Sequence, residues 1–273
     1  MGRRRRGMQG ALDLPSALAC HNPPSMSHPP VIVISAASGR RHDLMKAHLG
    51  AIGLSFELSP PVFLQGTPEE LSQYDGAKRT HELGYPLTKG EVGCFLAHRA
   101  AWERVAQMGT SCLAMEDDAR PTAELVATLS AVANAIAGQR MLVRFYSVKH
   151  PRHKRWKQLT ERFSLVRPLS PGGSTVAYLL TPECARALLE GSRSFWLAVD
   201  EFMDDEPSHG CIILHGFPEW VAHEDEGASM VGARVKPPLS LGRKAFREWR
   251  RALRNARQFI HREKVLWQLG LRF

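Results

Sequence analysis

Long apolar runs are missing from this 273-residue chain. No stretch approaches the roughly 20 consecutive apolar residues that cross a bilayer, which argues against an integral helical membrane protein. Cysteines are few: five in all (Cys20, Cys94, Cys112, Cys184, Cys211), widely spaced and without a Cys-x-x-Cys pair. That spacing argues against a zinc knuckle or a disulfide framework and leaves buried thiols in a reducing compartment as the expectation. Acidic residues are also short in supply, 27 against 36 Lys and Arg, for a formal net charge of +9. What is present in ordinary amounts, 44% hydrophobic and 23% charged residues, is the composition of a folded globular domain with an ample core.

The excess positive charge lies at the two ends. Residues 1–30 hold four Arg against one Asp, and residues 243–273 hold ten Lys or Arg against two Glu, so the stretch between is slightly acidic. A duplex-binding domain carries its charge on a folded face, so tail charge fits an anionic membrane surface or anionic partner better than specific nucleic-acid binding. Residues 1–30 are expected to be a disordered basic and Pro-rich extension, because Asp13 and Pro15 interrupt any signal-like apolar segment. Met26 is an alternative start.

From residue 31 the pattern alternates strand and helix. Val31 to Ile34 reads as a buried strand, Ser35 to Arg41 as a polar turn, Leu44 to Leu49 as a helix and Leu54 to Leu58 as a second strand. Residues 59–87 have no clear period and read as a long loop with short elements. Thr88 and Glu91 fit a capping box, opening a helix that runs to Gly109. Ser111 to Met115 is a strand ending in Glu116-Asp117-Asp118, and Pro121 opens a helix closed by Gly138. Strands at 141–148 and 175–180 and a helix from Thr181-Pro182 to Gly191 complete the pattern. The alternation predicts an α/β domain over 31–240 with a mainly parallel central sheet flanked by helices. Residues 241–273 read as a basic amphipathic helix with Phe246, Trp249, Leu253, Ala256, Ile260 and Trp267 on one stripe.

Three consecutive carboxylates after an apolar strand project at the edge where open α/β sheets bind ligands. Such a cluster repels itself unless a cation compensates it, and hard divalent ions bridge carboxylates to phosphates. A solvated acidic turn is the ordinary alternative.

Leu87-Thr88-Lys89-Gly90-Glu91-Val92-Gly93-Cys94-Phe95-Leu96-Ala97-His98, then Trp102, then Leu113-Ala114-Met115-Glu116-Asp117-Asp118-Ala119, resembles the signature of the family 25 glycosyltransferases, the lipopolysaccharide and lipo-oligosaccharide galactosyltransferase-like enzymes. Val31 to Ser35 with Ser38, Arg40 and Arg41, then Gly53 to Glu57, Ser174 to Thr181, and Val199-Asp200 follow in the family's order, so the resemblance covers about residues 31 to 235. The chain departs at Ala97, where the family usually has Ser, and the family's Val-Asp-Gly element is not recognisable near Pro60 to Gly66.

The resemblance implies a GT-A-like fold, a UDP-hexose donor (galactose or glucose), inversion at the anomeric carbon, and a lipid-linked or oligosaccharide acceptor. It implies Mn²⁺ or Mg²⁺ held principally by Asp118, with Glu116 or Asp117 assisting, and donor contacts at Ser35, Arg40, Arg41, His98, Glu116 and Asp117. Asp200 is the candidate base, with Glu91 a second catalytic candidate. Each has a plainer role open to it: Asp200 as a helix cap, Glu91 as the capping-box residue, His98 as a satisfied core histidine, Arg40 and Arg41 as a helix-terminal coat. His223, Glu224 and Asp225 are a late metal or acceptor contact or a surface loop. The cluster Lys149, Arg152, His153, Lys154, Arg155 and Lys157 reads as a solvated mobile loop or a contact to acceptor phosphates. Residues 243–273 either lie on an anionic membrane at its cytoplasmic face or pack back on the body. The competing functional class is a non-catalytic anion- or nucleic-acid-binding protein that uses its basic tails.

Overall fold

The computed structural model describes residues 28–36, 38–224 and 240–271; the expectations for residues 1–27 and for Asp225 lie outside these. Strand β1 (Val31–Ile34) is followed by α1 (Arg40–Ala51), β2 (Glu57–Ser59), a short 3-10 turn (Pro68–Glu70), α2 (Gly76–Leu83) and α3 (Lys89–Met108). Then come β3 (Cys112–Glu116), β4 (Ala119–Pro121), α4 (Ala123–Ile136) and β5 (Met141–Arg144). The second half holds β6 (His153–Thr160), β7 (Phe163–Pro168), β8 (Ala177–Leu180), α5 (Pro182–Gly191), α6 (Val199–Asp204) and α7 (Glu206–His209). It ends with β9 (Ile212–Phe217), β10 (Val221–His223) and α8 (Leu241–Gln268).

Among the described residues eight strands form one sheet, in the order β2-β1-β3-β8-β5-β9-β7-β6. The sheet is mixed. The pairs β1–β2, β1–β3 and β5–β9 are parallel, whereas β8 runs antiparallel to both neighbours and β6–β7–β9 is an antiparallel meander. Because β8 reverses twice, β1, β3, β5 and β9 all point their carboxyl ends to one edge. There the amino end of β8 joins them.

Alternation along the strands fills two cores. Ile32 and Ala114 face α3, α5 and α6, where Phe95, Trp102 and Phe202 pack. Val31, Val33, Leu113 and Met115 face α1 and α4, where Met45, Leu49 and Leu129 pack. The helices start where the capping chemistry places them. Thr88 Oγ1 accepts from the Glu91 amide at 3.1 Å while Glu91 Oε2 accepts from the Thr88 amide at 2.8 Å, satisfying two amides of the first turn. The side chains of Thr122 and Thr181 cap α4 and α5 by accepting from the Leu125 and Cys184 amides. Gly109 closes α3 at φ 67°, a left-handed conformation that costs a glycine nothing.

Two regions differ from the sequence expectation. The basic cluster after residue 148 is not wholly a loop: His153 to Lys157 belong to β6, at the sheet edge, with two bulges against β7. An exposed strand whose side chains are charged escapes a hydrophobic-pattern reading, and edge cations also discourage sheet-to-sheet aggregation. Within residues 59–87, α2 forms on an Asp75 cap that accepts from the Lys78 amide at 2.8 Å. It buries Arg79 and Glu82.

Candidate active site

At the carboxyl edge of β1 and β3 lies a cavity of about 470 Å³. Its walls come from Ser35 after β1, Arg41 on α1, the segment Pro61 to Leu64, the first half of α3, Glu116 to Asp118, and His223 and Glu224. Gly93 brings α3 against that segment, since a Cβ there would stand 2.3 Å from the Val62 carbonyl oxygen.

Each carboxylate of the acidic trio has its own partners. Glu116 accepts from the Thr175 hydroxyl at 2.5 Å, and His98 Nε2 lies 3.4 Å from the same oxygen. Asp117 accepts from the Ser35 hydroxyl at 2.9 Å. Arg41 Nη2 stands 2.6 Å from Asp117 Oδ1 and 2.5 Å from Asp118 Oδ2. His223 Nε2 approaches Asp118 Oδ2 from the other side at 3.3 Å. Asp118 Oδ1 is buried without a hydrogen-bond partner.

Behind Glu116 a buried network orients His98. Its Nδ1 lies 2.8 Å from the Tyr178 hydroxyl, to which Trp102 Nε1 donates at 2.9 Å. Nδ1 and the indole thus share one hydroxyl, and Nε2 is turned toward Glu116.

Burial pushes the pKa of Asp118 up and the charge of Glu116 adds to this, while Arg41 and His223 pull it down without prevailing. For Glu116 burial also acts upward, but the His98 contact and the Thr175 hydrogen bond outweigh it and hold the group below the usual carboxylate range. One carboxylate of the cluster therefore ionises readily and its neighbour reluctantly. Burial, with the nearby carboxylates, pushes the Cys94 thiol well up, so it lines the wall as a neutral thiol.

Of the residues expected from sequence, Ser35, Arg41, His98, Glu116, Asp117 and Asp118 converge on this cavity. Arg40 is exposed at the start of α1 and is not among its lining residues. Glu91 is buried and works as the capping residue of α3, off the cavity wall. Asp200 opens α6, half-buried; it does not line the cavity, yet its charge is felt at Cys94, which does. Burial and the charge of Glu201 raise the Asp200 pKa.

Sequence reasoning passed over Thr175 and Tyr178 as site residues and left His223 as one of two alternatives. Both lie in the Ser174 to Thr181 block of the family resemblance, but their contacts to Glu116 and His98 arise only where β8 and the residues just before it run beside β3. His223 arrives by antiparallel pairing of β10 with β4, which sets it opposite Ala119.

Residues 28–203 match the profile described as Glycosyltransferase family 25 (LPS biosynthesis protein). The chain belongs to glycosyltransferase family 25. A "Glycosyltransferase 25 family member" of Anopheles gambiae is 31% identical over 110 residues, 35% of this chain and 17% of that protein. The "Inactive glycosyltransferase 25 family member 3" of Mus musculus is 53% identical over 38 residues, 14% of this chain and 6% of that protein. The chain thus matches only a small part of the length of these two relatives. Two Drosophila β1,4-galactosyltransferase 7 structures, one of a mutant with manganese, UDP-Gal and xylobiose and one of the catalytic domain with xylobiose, are 10% identical to it. They cover 72% and 81% of this chain and 70% and 79% of their own, at TM-scores of 0.35 and 0.36, a likeness that carries no further argument.

The family 25 match takes in every cavity residue from Ser35 to Asp118, and Asp200, whereas His223 lies beyond it. The donor set suits a hard or borderline divalent ion. Asp118 Oδ1 is an orphaned buried acceptor, the other carboxylate oxygen, Oδ2, has the His223 imidazole 3.3 Å away, and the charges of Glu116 and Asp117 are felt at the same group. Glu116, His98 and Cys94 also bring one ligand atom each within 4.8 Å of one another.

Proposed function

We propose that this family 25 chain is an inverting, metal-dependent hexosyltransferase on a GT-A-like fold, moving galactose or glucose from a UDP-sugar to a lipid-linked or oligosaccharide surface-glycan acceptor at the cytoplasmic side of a membrane. The observation that supports it best is the trio Glu116, Asp117 and Asp118 on the wall of a donor-sized cavity, with Asp118 Oδ1 buried and without a hydrogen-bond partner. Asp118 would hold Mn²⁺ or Mg²⁺, with Glu116 and His223 assisting. When bound, such an ion neutralises charge on the diphosphate leaving group.

The chain's own groups do the rest. Arg41 is a planar fork already placed among the carboxylates; swung to the cavity side it binds diphosphate oxygens bidentately. Ser35 keeps Asp117 turned to the rim, where its carboxylate is set to accept from ribose hydroxyls. His98, fixed by Tyr178, orients Glu116. Asp200 takes the proton of the attacking acceptor hydroxyl; its raised pKa makes it a stronger base than an ordinary carboxylate.

The test is UDP release from a panel of UDP-sugars offered with and without acceptor oligosaccharide, with Mn²⁺ and with chelator. Chelator-sensitive release with one UDP-hexose is expected. Release from none of them, together with tight salt-sensitive binding of nucleic acid, would instead favour the basic-tail binding protein.

A further inference from the structure

Helix α8 is seated with its polar side inward. Its 28 residues, about 42 Å of helix, touch the body mainly through charge. Arg250 and Arg254 both donate to Glu82, Arg257 to the Pro207 carbonyl at 3.1 Å, and Arg262 to the Leu169 carbonyl. His261 lies 3.5 Å from Glu206. Only Val265 and Leu266 of the helix are buried. The aromatic and aliphatic stripe is left largely in the open: Trp249 is 56% exposed, Leu253 47%, Ile260 69% and Trp267 60%, while Phe246 at its edge meets the His81 ring of α2 edge-on. A helix that packs for stability alone turns this stripe onto the core and its arginines to water.

We propose that the outward stripe of α8 is a docking surface for an anionic lipid bilayer, on which the helix lies in the interface plane. Charge decides between this occupant and others. Residues 241–271 carry nine Lys or Arg against two Glu, and Arg257 and Lys264 lie exposed at the edge of the stripe. A second copy of the same face would set like charges against one another, whereas an anionic surface satisfies the cations and the apolar side chains together. Tryptophans at the rim of such a stripe suit the headgroup level. No described helix is long and apolar enough to cross a membrane, so α8 lies on the surface and does not span it. The inference stands apart from the proposed catalytic reading.

The full chain is to be sedimented with vesicles of phosphatidylcholine alone and of phosphatidylcholine mixed with phosphatidylglycerol. Binding is expected to the mixed vesicles only, with a blue shift of tryptophan emission. The double variant Leu253→Glu with Ile260→Glu, both at exposed positions, should reduce binding by about tenfold or more while leaving thermal unfolding unchanged. Should that variant fold poorly, Trp267→Gln, also exposed, carries the same expectation. Absence of wild-type binding, or equal binding by the folded variants, overturns the proposal. So does conversion of an oligomer to a monomer by the variants without any effect on vesicles, which would make the face an interface between copies.

Discussion

Arg41 Nη2 stands 2.5 Å from Asp118 Oδ2, so a side-chain cation occupies the approach to the carboxylate that is proposed to hold a metal ion. The guanidinium also reaches Asp117, which lets one positive charge compensate two negative ones. Arg41→Gln should therefore lower the stability of metal-free protein by about 1 kcal/mol, near the modest end because Arg41 is 38% exposed. Manganese should raise the melting temperature of the variant more than that of the wild type, since less internal compensation is displaced. Thermal melts with and without Mn²⁺ check both; an equal increment in the two proteins contradicts the competition.

The Tyr178 hydroxyl serves two buried groups, His98 Nδ1 and Trp102 Nε1. Tyr178→Phe leaves both without it and should cost about 1–3 kcal/mol. Because His98 then loses what holds it toward Glu116, turnover should fall roughly tenfold as well. Chemical denaturation and steady-state kinetics read the two effects separately. A stability loss with unaltered kcat would reduce Tyr178 to a structural role.

Asp200 has its pKa raised by burial and by the charge of Glu201. As a base it must be ionised, so kcat/KM should fall toward acid along a limb centred above the ordinary carboxylate value. Asp200→Asn should remove that limb and lower activity about 10²-fold or more. The stability sign is opposite. A carboxyl that binds its proton more tightly when folded supports folding fully below the unfolded pKa and loses that support as pH rises through the folded value. At neutral pH the Asn variant should therefore melt above the wild type. A lower melting temperature would assign Asp200 to structure instead.

Glu82 presents the reverse case. Burial works against its charge, but the hydrogen bond and charge of Arg250 and the charge of Arg254 prevail and hold its pKa below the usual range. Its contribution to seating α8 is present above the ordinary carboxylate pKa and lost as pH falls through the lowered value. Glu82→Gln should cost about 2 kcal/mol near neutral pH and speed hydrogen exchange in α8. In acid the difference from wild type should disappear. A gap that persists unchanged at low pH contradicts the ion-pair account.

Locally encoded features were legible in the sequence, and features made by distant pairing were not. The Val31 to Ile34 strand, the Thr88–Glu91 box and the carboxylates closing Cys112–Glu116 are written in adjacent residues, and the structure has each of them. The Ser174 to Thr181 block was legible as a family element, but the contacts of Thr175 and Tyr178 with Glu116 and His98 depend on β8 running antiparallel beside β3, and that of His223 on β10 pairing with β4. Strand β6 was obscured by its own cations, and α2 by the polarity of Arg79 and Glu82, whose partners Glu201, Arg250 and Arg254 lie far along the chain. The apolar stripe of α8 was visible as a pattern, but which side meets the body depends on Glu82 and Glu206.

The most direct measurement of the central claim is calorimetric titration of UDP into wild type and Asp118→Asn, each with Mn²⁺ and with chelator. The account predicts wild-type affinity at least about tenfold higher with Mn²⁺, and weak, manganese-independent affinity in the variant at unchanged fold. Manganese-independent UDP binding by the wild type, or manganese-strengthened binding by Asp118→Asn equal to wild type, would contradict it.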